Sequence, residues 1–127
     1  MLTNQESCRL PMKTFLAVFT TPTSRAKWDA LDAQTRTERE QAGMIAWHQW
    51  MADHQDILVD SGGPLGKTKQ VSPAGIRDTS NNLGGFVKLQ AESHEAAAKL
   101  FENHPSFAIF PGDGVEVMEC LPIPPLN

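Results

Sequence analysis

The candidate residues for acid–base chemistry are three ionisable side chains, His48, Asp60 and His104. Imidazole titrates near neutral pH, so a histidine beside a pocket can carry a proton to or from a substrate. Asp60 precedes a Gly-Gly-Pro run at 62–64, where a backbone without bulky side chains leaves room for a ligand. These residue types indicate cofactor-free proton transfer, such as isomerisation or elimination, with His104 or His48 as proton carrier and Asp60 as a base.

Each of the three residues also has a structural interpretation. His104 precedes a proline at a predicted helix end, where histidine caps the last carbonyls and favours the helix dipole. His48 adjoins Trp47 in an apolar helical stripe, and such stripes usually form core. Asp60 also fits a solvated loop. The sequence leaves both interpretations open for each residue.

Residues 60–65, Asp-Ser-Gly-Gly-Pro-Leu, match the surroundings of the nucleophilic serine in trypsin-like proteases. Those proteases are longer, all-β proteins, whereas two helices are predicted here. The histidines ahead of Ser61, His48 and His54, lie on the helix just before it, and Val59 stands where the proteases carry glycine. We therefore interpret the run as a turn that ends a strand, where the backbone approaches a cleft or a partner subunit closely.

Neither a metal nor a cofactor is expected. His48 and His54 are six residues apart, whereas two ligands on one helical face need a spacing of three or four. Gly84 and Gly85 lack the third glycine and the following helix of a phosphate-binding loop. Cys120 has no activating neighbour in sequence, which favours an inert, buried thiol.

Composition bounds the class of protein. The chain has 127 residues, which we divide into a tail, residues 1–11, and a single domain, residues 12–127. A net charge of −4 gives no basic stripe for nucleic acid. No apolar run approaches the roughly 20 residues needed to span a bilayer, and no signal peptide is visible. Together with two cysteines that make no disulfide framework, this predicts a cytoplasmic protein.

Apolar periodicity predicts two β-α-β units. The predicted strands are 13–20, 56–63, 83–91 and 114–121, and the predicted helices are 25–54, with a break near residues 32–33, and 93–103. A polar segment at 67–82 is expected to form a short hairpin or a flexible flap, in which Lys67 and Arg77 either bind an anionic substrate or are simply solvated. This order is that of an α+β, ferredoxin-like sandwich with both helices on one face of the sheet.

The first strand is apolar on both faces. Phe15, Ala17 and Phe19 point to one side, and Leu16 and Val18 point to the other. Because two helices cover only one face, the second face needs another cover, and a second copy of the sheet is the simplest at this length. We therefore expect a homodimer built sheet to sheet.

The ordered set of motifs resembles the YCII-related proteins, which overlap the group called DGPF proteins. The motifs are the first strand MKTFLAVF, a long helix, Gly-Pro-Leu-Gly, Gly-Gly-Phe-Val, an alanine-rich helix ending in His-Pro, and Val-Glu-Val-Met-Glu. The resemblance spans about residues 12–125 and implies a dimeric α+β barrel with one cleft per subunit. It also implies a His–Asp pair. The position of that histidine is occupied by Ala46, and His48 lies two residues on, about 200° around the helix.

Together these features predict a cleft for a small aromatic or carboxylated molecule. The expected ligand-binding residues, besides the three candidate catalytic residues, are Trp47, Gly62, Gly63, Pro64, Leu65 and Lys67. The alternative is a non-catalytic ligand-binding or dimerisation module. An enzyme cleft should bring two ionisable side chains together, whereas a binding module needs aromatic walls and one anchor.

Overall fold

The structure is a computed structural model that describes residues 11–126. The predicted tail, residues 1–11, lies outside the described residues except for Pro11. The strands are β1 (Lys13–Thr20), β2 (Leu58–Pro64), β3 (Thr68–Ser72), β4 (Gly75–Thr79), β5 (Leu83–Ala91) and β6 (Gly114–Glu119). The helices are α1 (Ala26–Asp29), α2 (Ala33–Asp53), α3 (His94–Lys99) and α4 (Pro105–Ala108), and a 3₁₀ turn spans Gln55–Ile57.

Four strands form one antiparallel sheet in the order β2-β5-β1-β6. This is the strand order of a ferredoxin-like fold, and the predicted α+β class is confirmed. Strands β3 and β4 form a separate two-stranded hairpin between the second and third strands of that fold. The polar segment that was predicted as hairpin or flap is therefore a hairpin.

The core lies between the sheet and the helices. Phe15, Ala17 and Phe19 of β1 are buried together with Val87 and Leu89 of β5. Helix residues complete this layer, and they are Trp47 and Trp50 of α2, Ala97 of α3 and the nearby Phe101. The helices thus pack on the face of β1 that carries Phe15, Ala17 and Phe19, which the alternation places together.

The opposite face of the sheet is also apolar. Leu16 pairs with Met118 of β6, and Val18 pairs with Phe86 of β5, so these four side chains share that face. Met118 is 42% exposed, while Leu16 and Phe86 are half-buried. An apolar sheet face of this kind is the feature on which the expected dimer depends.

The second predicted helix is shorter than expected and is followed by another. It begins at its predicted cap, since Ser93 Oγ accepts from Ala96 N at 3.0 Å, but it ends at Lys99. Asn103 has a left-handed φ of 60°, which ends any helical path. A new turn of helix, α4, then starts with Pro105 in its first position, which proline favours because it has no N–H to satisfy.

Two further boundaries moved. Strand β2 begins at Leu58 rather than residue 56, because the 3₁₀ turn occupies the residues before it, and β6 ends at Glu119 rather than 121. Cys120 therefore lies beyond the strand and is exposed, so its predicted burial is wrong. Within the described range, no helix is long and apolar enough to cross a bilayer.

Candidate functional site

A cavity of about 510 Å³ opens between helix α2 and the edge of the sheet formed by β2 and β5. Its walls come from β1, α2, β2, β5 and the connection that follows α4. Its lining is mostly apolar side chains and glycine backbone. The volume falls in the range of small-molecule sites, roughly 300–1,000 Å³.

Helix α2 supplies one wall through a single stripe of side chains. Met44, Trp47, His48 and Met51 all line the cavity. Their spacing of three, four and seven from the first places them on one face of the helix. The apolar stripe that the sequence showed therefore serves two purposes, since Trp47 also packs against the core.

Strand β2 supplies the facing wall through its glycine run. Gly62 has a φ of +66°, and a Cβ there would stand 1.8 Å from the carbonyl oxygen of Phe86. Only glycine allows this approach of β2 to β5. Ser61, Gly62, Gly63 and Pro64 all line the cavity, so the predicted close backbone approach is found here.

Asp60 shapes this turn and does not line the cavity. Its Oδ1 accepts a hydrogen bond from Gly62 N at 2.8 Å, an Asx turn that fixes the start of the glycine run. In the strand register it lies opposite Lys88 of β5. The carboxylate is exposed, and its role as a base remains a prediction.

Within the described chain, His48 is the one lining residue with an ionisable side chain. It is exposed, and its ring makes no hydrogen bond to any other residue within the range 11–126. Ser61 adds a hydroxyl to the opposite wall. The cavity thus combines aromatic and thioether walls with a single ionisable anchor.

His104 lies behind the cavity wall. It is 1% exposed, and its ring centroid stands 4.9 Å from Phe19 and 4.8 Å from Trp47, both of which line the cavity. Trp50 and Phe101 enclose the ring further, at 5.0 and 5.7 Å. The cleft and this histidine are therefore neighbours separated by two aromatic side chains.

The environment of His104 keeps its imidazole neutral. Burial lowers its pKa from 6.5 to about 4, with a smaller contribution from the charge of nearby His54. Its Nδ1 accepts from Ser106 N at 3.0 Å and so caps α4, which assigns the ring proton to Nε2. Among the described residues Nε2 has no hydrogen-bond partner. His104 is thus a helix cap as one interpretation held, but at the start of α4 rather than the end of α3.

The remaining predicted site residues lie elsewhere. Leu65 and Lys67 line a separate groove of about 600 Å³ at the base of the β3–β4 hairpin. Arg77 bonds to Gln70 across that hairpin. The structure therefore brings Trp47, His48 and residues 62–64 together and leaves the two cations outside the cavity.

Several lining residues were absent from the predicted set, among them Phe19, Met44, Met51, Val87 and Phe110. The methionines could have been found, since they share the helical stripe of Trp47. Phe110 lies in an apolar patch of a predicted connector, and nothing local indicates that this patch folds back onto α2. In the part of the chain that the structure describes, no group of three or more His, Cys, Asp or Glu side chains could hold a metal.

Fold and cavity together define a small ferredoxin-like α+β protein with a pocket between its long helix and the edge of its sheet. No protein-family model matches the chain, and no curated protein does. Among solved structures it is similar to the 5-chloro-2-hydroxyhydroquinone dehydrochlorinase of Burkholderia phenoliruptrix AC1100, solved with 2,5-dihydroxybenzoquinone. The identity is 18% and the TM-score 0.46, over 82% of this chain and 89% of that one.

Proposed function

We propose that the chain binds a small, uncharged, ring-containing molecule in the cavity between α2 and β2. The observation that carries this proposal is the cavity itself, about 510 Å³ in volume, with aromatic walls and with His48 as the one ionisable side chain among its described lining residues. Phe19, Trp47 and Phe110 offer ring faces and edges that favour a planar ligand.

The charge of the lining residues favours an uncharged aromatic ligand over a carboxylated one. No lysine or arginine of the described chain lines the cavity. Burying a carboxylate without a paired cation carries a large desolvation cost, whereas a hydroxyl needs only one hydrogen bond. A phenol carries no charge, and its hydroxyl can form the one hydrogen bond that it needs. Its ring would lie against Trp47 and its hydroxyl on His48 or the Gly62–Gly63 backbone.

Cofactor-free proton transfer is the second candidate, and His48 favours it. A single histidine at an apolar pocket can act as acid or base in an isomerisation or elimination. His104 is the weaker candidate as proton carrier, because it is buried behind Trp47 and its pKa is lowered to about 4. One ionisable lining residue meets the requirement of a binding module, so binding is our primary proposal.

We also propose that two copies pair through the sheet face that carries Leu16, Val18, Phe86 and Met118. This face is apolar, and the helices pack on the other one. Such pairing would make the dimeric α+β barrel that the YCII-related motifs imply, and we propose that relationship too. We further propose a cytoplasmic location, which two cysteines without a disulfide framework favour.

A matched ligand pair tests the binding proposal. Thermal unfolding with 4-ethylphenol should raise the Tm by roughly 8 °C at a hundredfold excess over Kd, because the ligand binds only the folded state. The carboxylate of the same ring, 4-ethylbenzoate, should leave the Tm unchanged. Equal Tm shifts with both compounds would contradict the inference that a cavity without a cation rejects a carboxylate. If the Tm stays unchanged with 4-ethylphenol, with 2-naphthol and with indole, the proposed pocket is refuted.

A further inference from the structure

The ring of Phe110 packs directly on the backbone of helix α2 at Gly43. A Cβ added to residue 43 would lie 2.5 Å from Phe110 Cε2 and 2.7 Å from Cζ, closer than carbon atoms tolerate. Glycine inside a helix costs about 0.5–1 kcal/mol relative to alanine. The buried Gly43 therefore lowers the stability of the helix at the position where the Phe110 ring needs space.

The same ring faces the cavity. Phe110 is a lining residue, and its centroid lies 6.0 Å from that of Trp47 at an interplanar angle of 62°. Met44 and Trp47 of α2, one and four residues after Gly43, also line the cavity. Phe110 is thus bounded by the helix backbone on one side and by the empty volume on another.

The backbone of Phe110 is held in place, so its ring cannot retreat with the chain. Phe110 N donates to Pro105 O at 2.9 Å, and Gly112 N donates to Ser106 O at 2.9 Å. Both acceptors belong to α4, whose first turn is capped by the buried His104. A group that pushes on the ring must therefore rotate it about its side-chain bonds.

From these contacts we infer that Phe110 is the end wall that determines the size of ligand the cavity accepts, and that Gly43 positions it. This inference rests on the proposed binding function and adds a specificity-determining pair to it. A larger ring or a longer substituent meets Phe110, because the ring has helix backbone behind it. A side chain at residue 43 displaces the Phe110 ring from its position against α2 and so makes the cavity shorter.

Substitutions on the two sides of the contact test this in opposite directions. Calorimetry would compare 4-ethylphenol with 4-butylphenol and 2-naphthol on the wild type, Phe110→Ala and Gly43→Ala. Phe110→Ala should shift the affinity ratio toward the larger probes by about tenfold or more, since a single methylene group in an apolar pocket is worth at least that much. Gly43→Ala should weaken all three probes, and the double variant Gly43→Ala/Phe110→Ala should recover the affinity of Phe110→Ala.

Ala42→Gly is the matched control, since residue 42 is exposed on the same helix and does not line the cavity. It should leave the probe ratios unchanged. An unaltered ratio in Phe110→Ala, with 4-ethylphenol still bound, would overturn the inference while leaving the proposed function intact.

If no probe binds the wild type, the proposed function fails. A crystal structure of Gly43→Ala still tests the contact between Phe110 and residue 43 in that case. We expect the Phe110 ring displaced toward Trp47 and a smaller cavity. A ring that swings into solvent beside an unchanged cavity would overturn the inference.

Discussion

The rings of His104 and Trp47 meet edge to face, with centroids 4.8 Å apart and planes at 88°. One side of Trp47 thus packs on a buried imidazole, while the residue also lines the cavity. A charged imidazole there would lose hydration without gaining a partner, which is why the neutral form is favoured. The protonation of His104 is therefore coupled to the stability of the pocket wall.

This coupling predicts a pH dependence of stability. Between pH 6.5 and about 4 the unfolded chain binds a proton at residue 104 and the folded chain does not. The free energy of unfolding therefore falls as pH decreases across this window, by roughly 3 kcal/mol in total from this group. Urea unfolding at pH 7, 5.5 and 4.5 measures it.

His104→Asn is the control for that titration, because asparagine keeps a cap for α4 but carries no titrating group. The difference in unfolding free energy between wild type and variant should shrink or reverse as pH falls. A difference that stays constant across the window would show that His104 does not titrate as its burial requires.

Gly62→Ala should destabilise the protein by roughly 3 kcal/mol or more, because it combines a left-handed φ with a clash against backbone. Gly63→Ala is the matched control in the same strand, since a Cβ there has nothing within 4 Å. It should change stability by about 1 kcal/mol at most. Chemical unfolding of both variants decides, and equal effects would contradict the assigned approach of β2 to β5.

His48→Ala should weaken 4-ethylphenol binding about tenfold, the cost of one lost hydrogen bond to the ligand hydroxyl. His48→Gln should retain most of the affinity, since its amide can donate or accept. Calorimetry on both variants measures this. If the chain catalyses proton transfer, His48→Gln separates binding from turnover. Glutamine then preserves binding but abolishes turnover, because an amide does not carry protons near neutral pH. Full affinity in His48→Ala would remove His48 as the anchor.

Met118→Lys should convert a dimer into a monomer, because it places a charge on the apolar sheet face without emptying the core. Light scattering on the wild type should give twice the mass of one chain, and on the variant the mass of one. Val71→Lys, at the exposed tip of the hairpin, should leave the mass unchanged. A monomeric wild type would contradict the proposed pairing.

Much of the fold was predictable because it depends on local patterns. Strands β1 and β5 begin and end at the predicted residues, since alternation and flanking turn residues define both. The break between α1 and α2 falls where predicted, and Ser93 caps α3 as predicted. The short α4 was missed, because one helical turn shows no periodicity.

The candidate site was predictable only in part. The sequence by itself determined the stripe of Trp47 and His48 and the glycine run at 62–64, which a helix and a strand present whatever surrounds them. Only the tertiary structure decided that these two meet at a cavity, that Lys67 does not, and that His104 lies behind the wall. Burial and cavity shape depend on contacts between distant elements, such as Phe110 on Gly43, and no local pattern encodes those contacts.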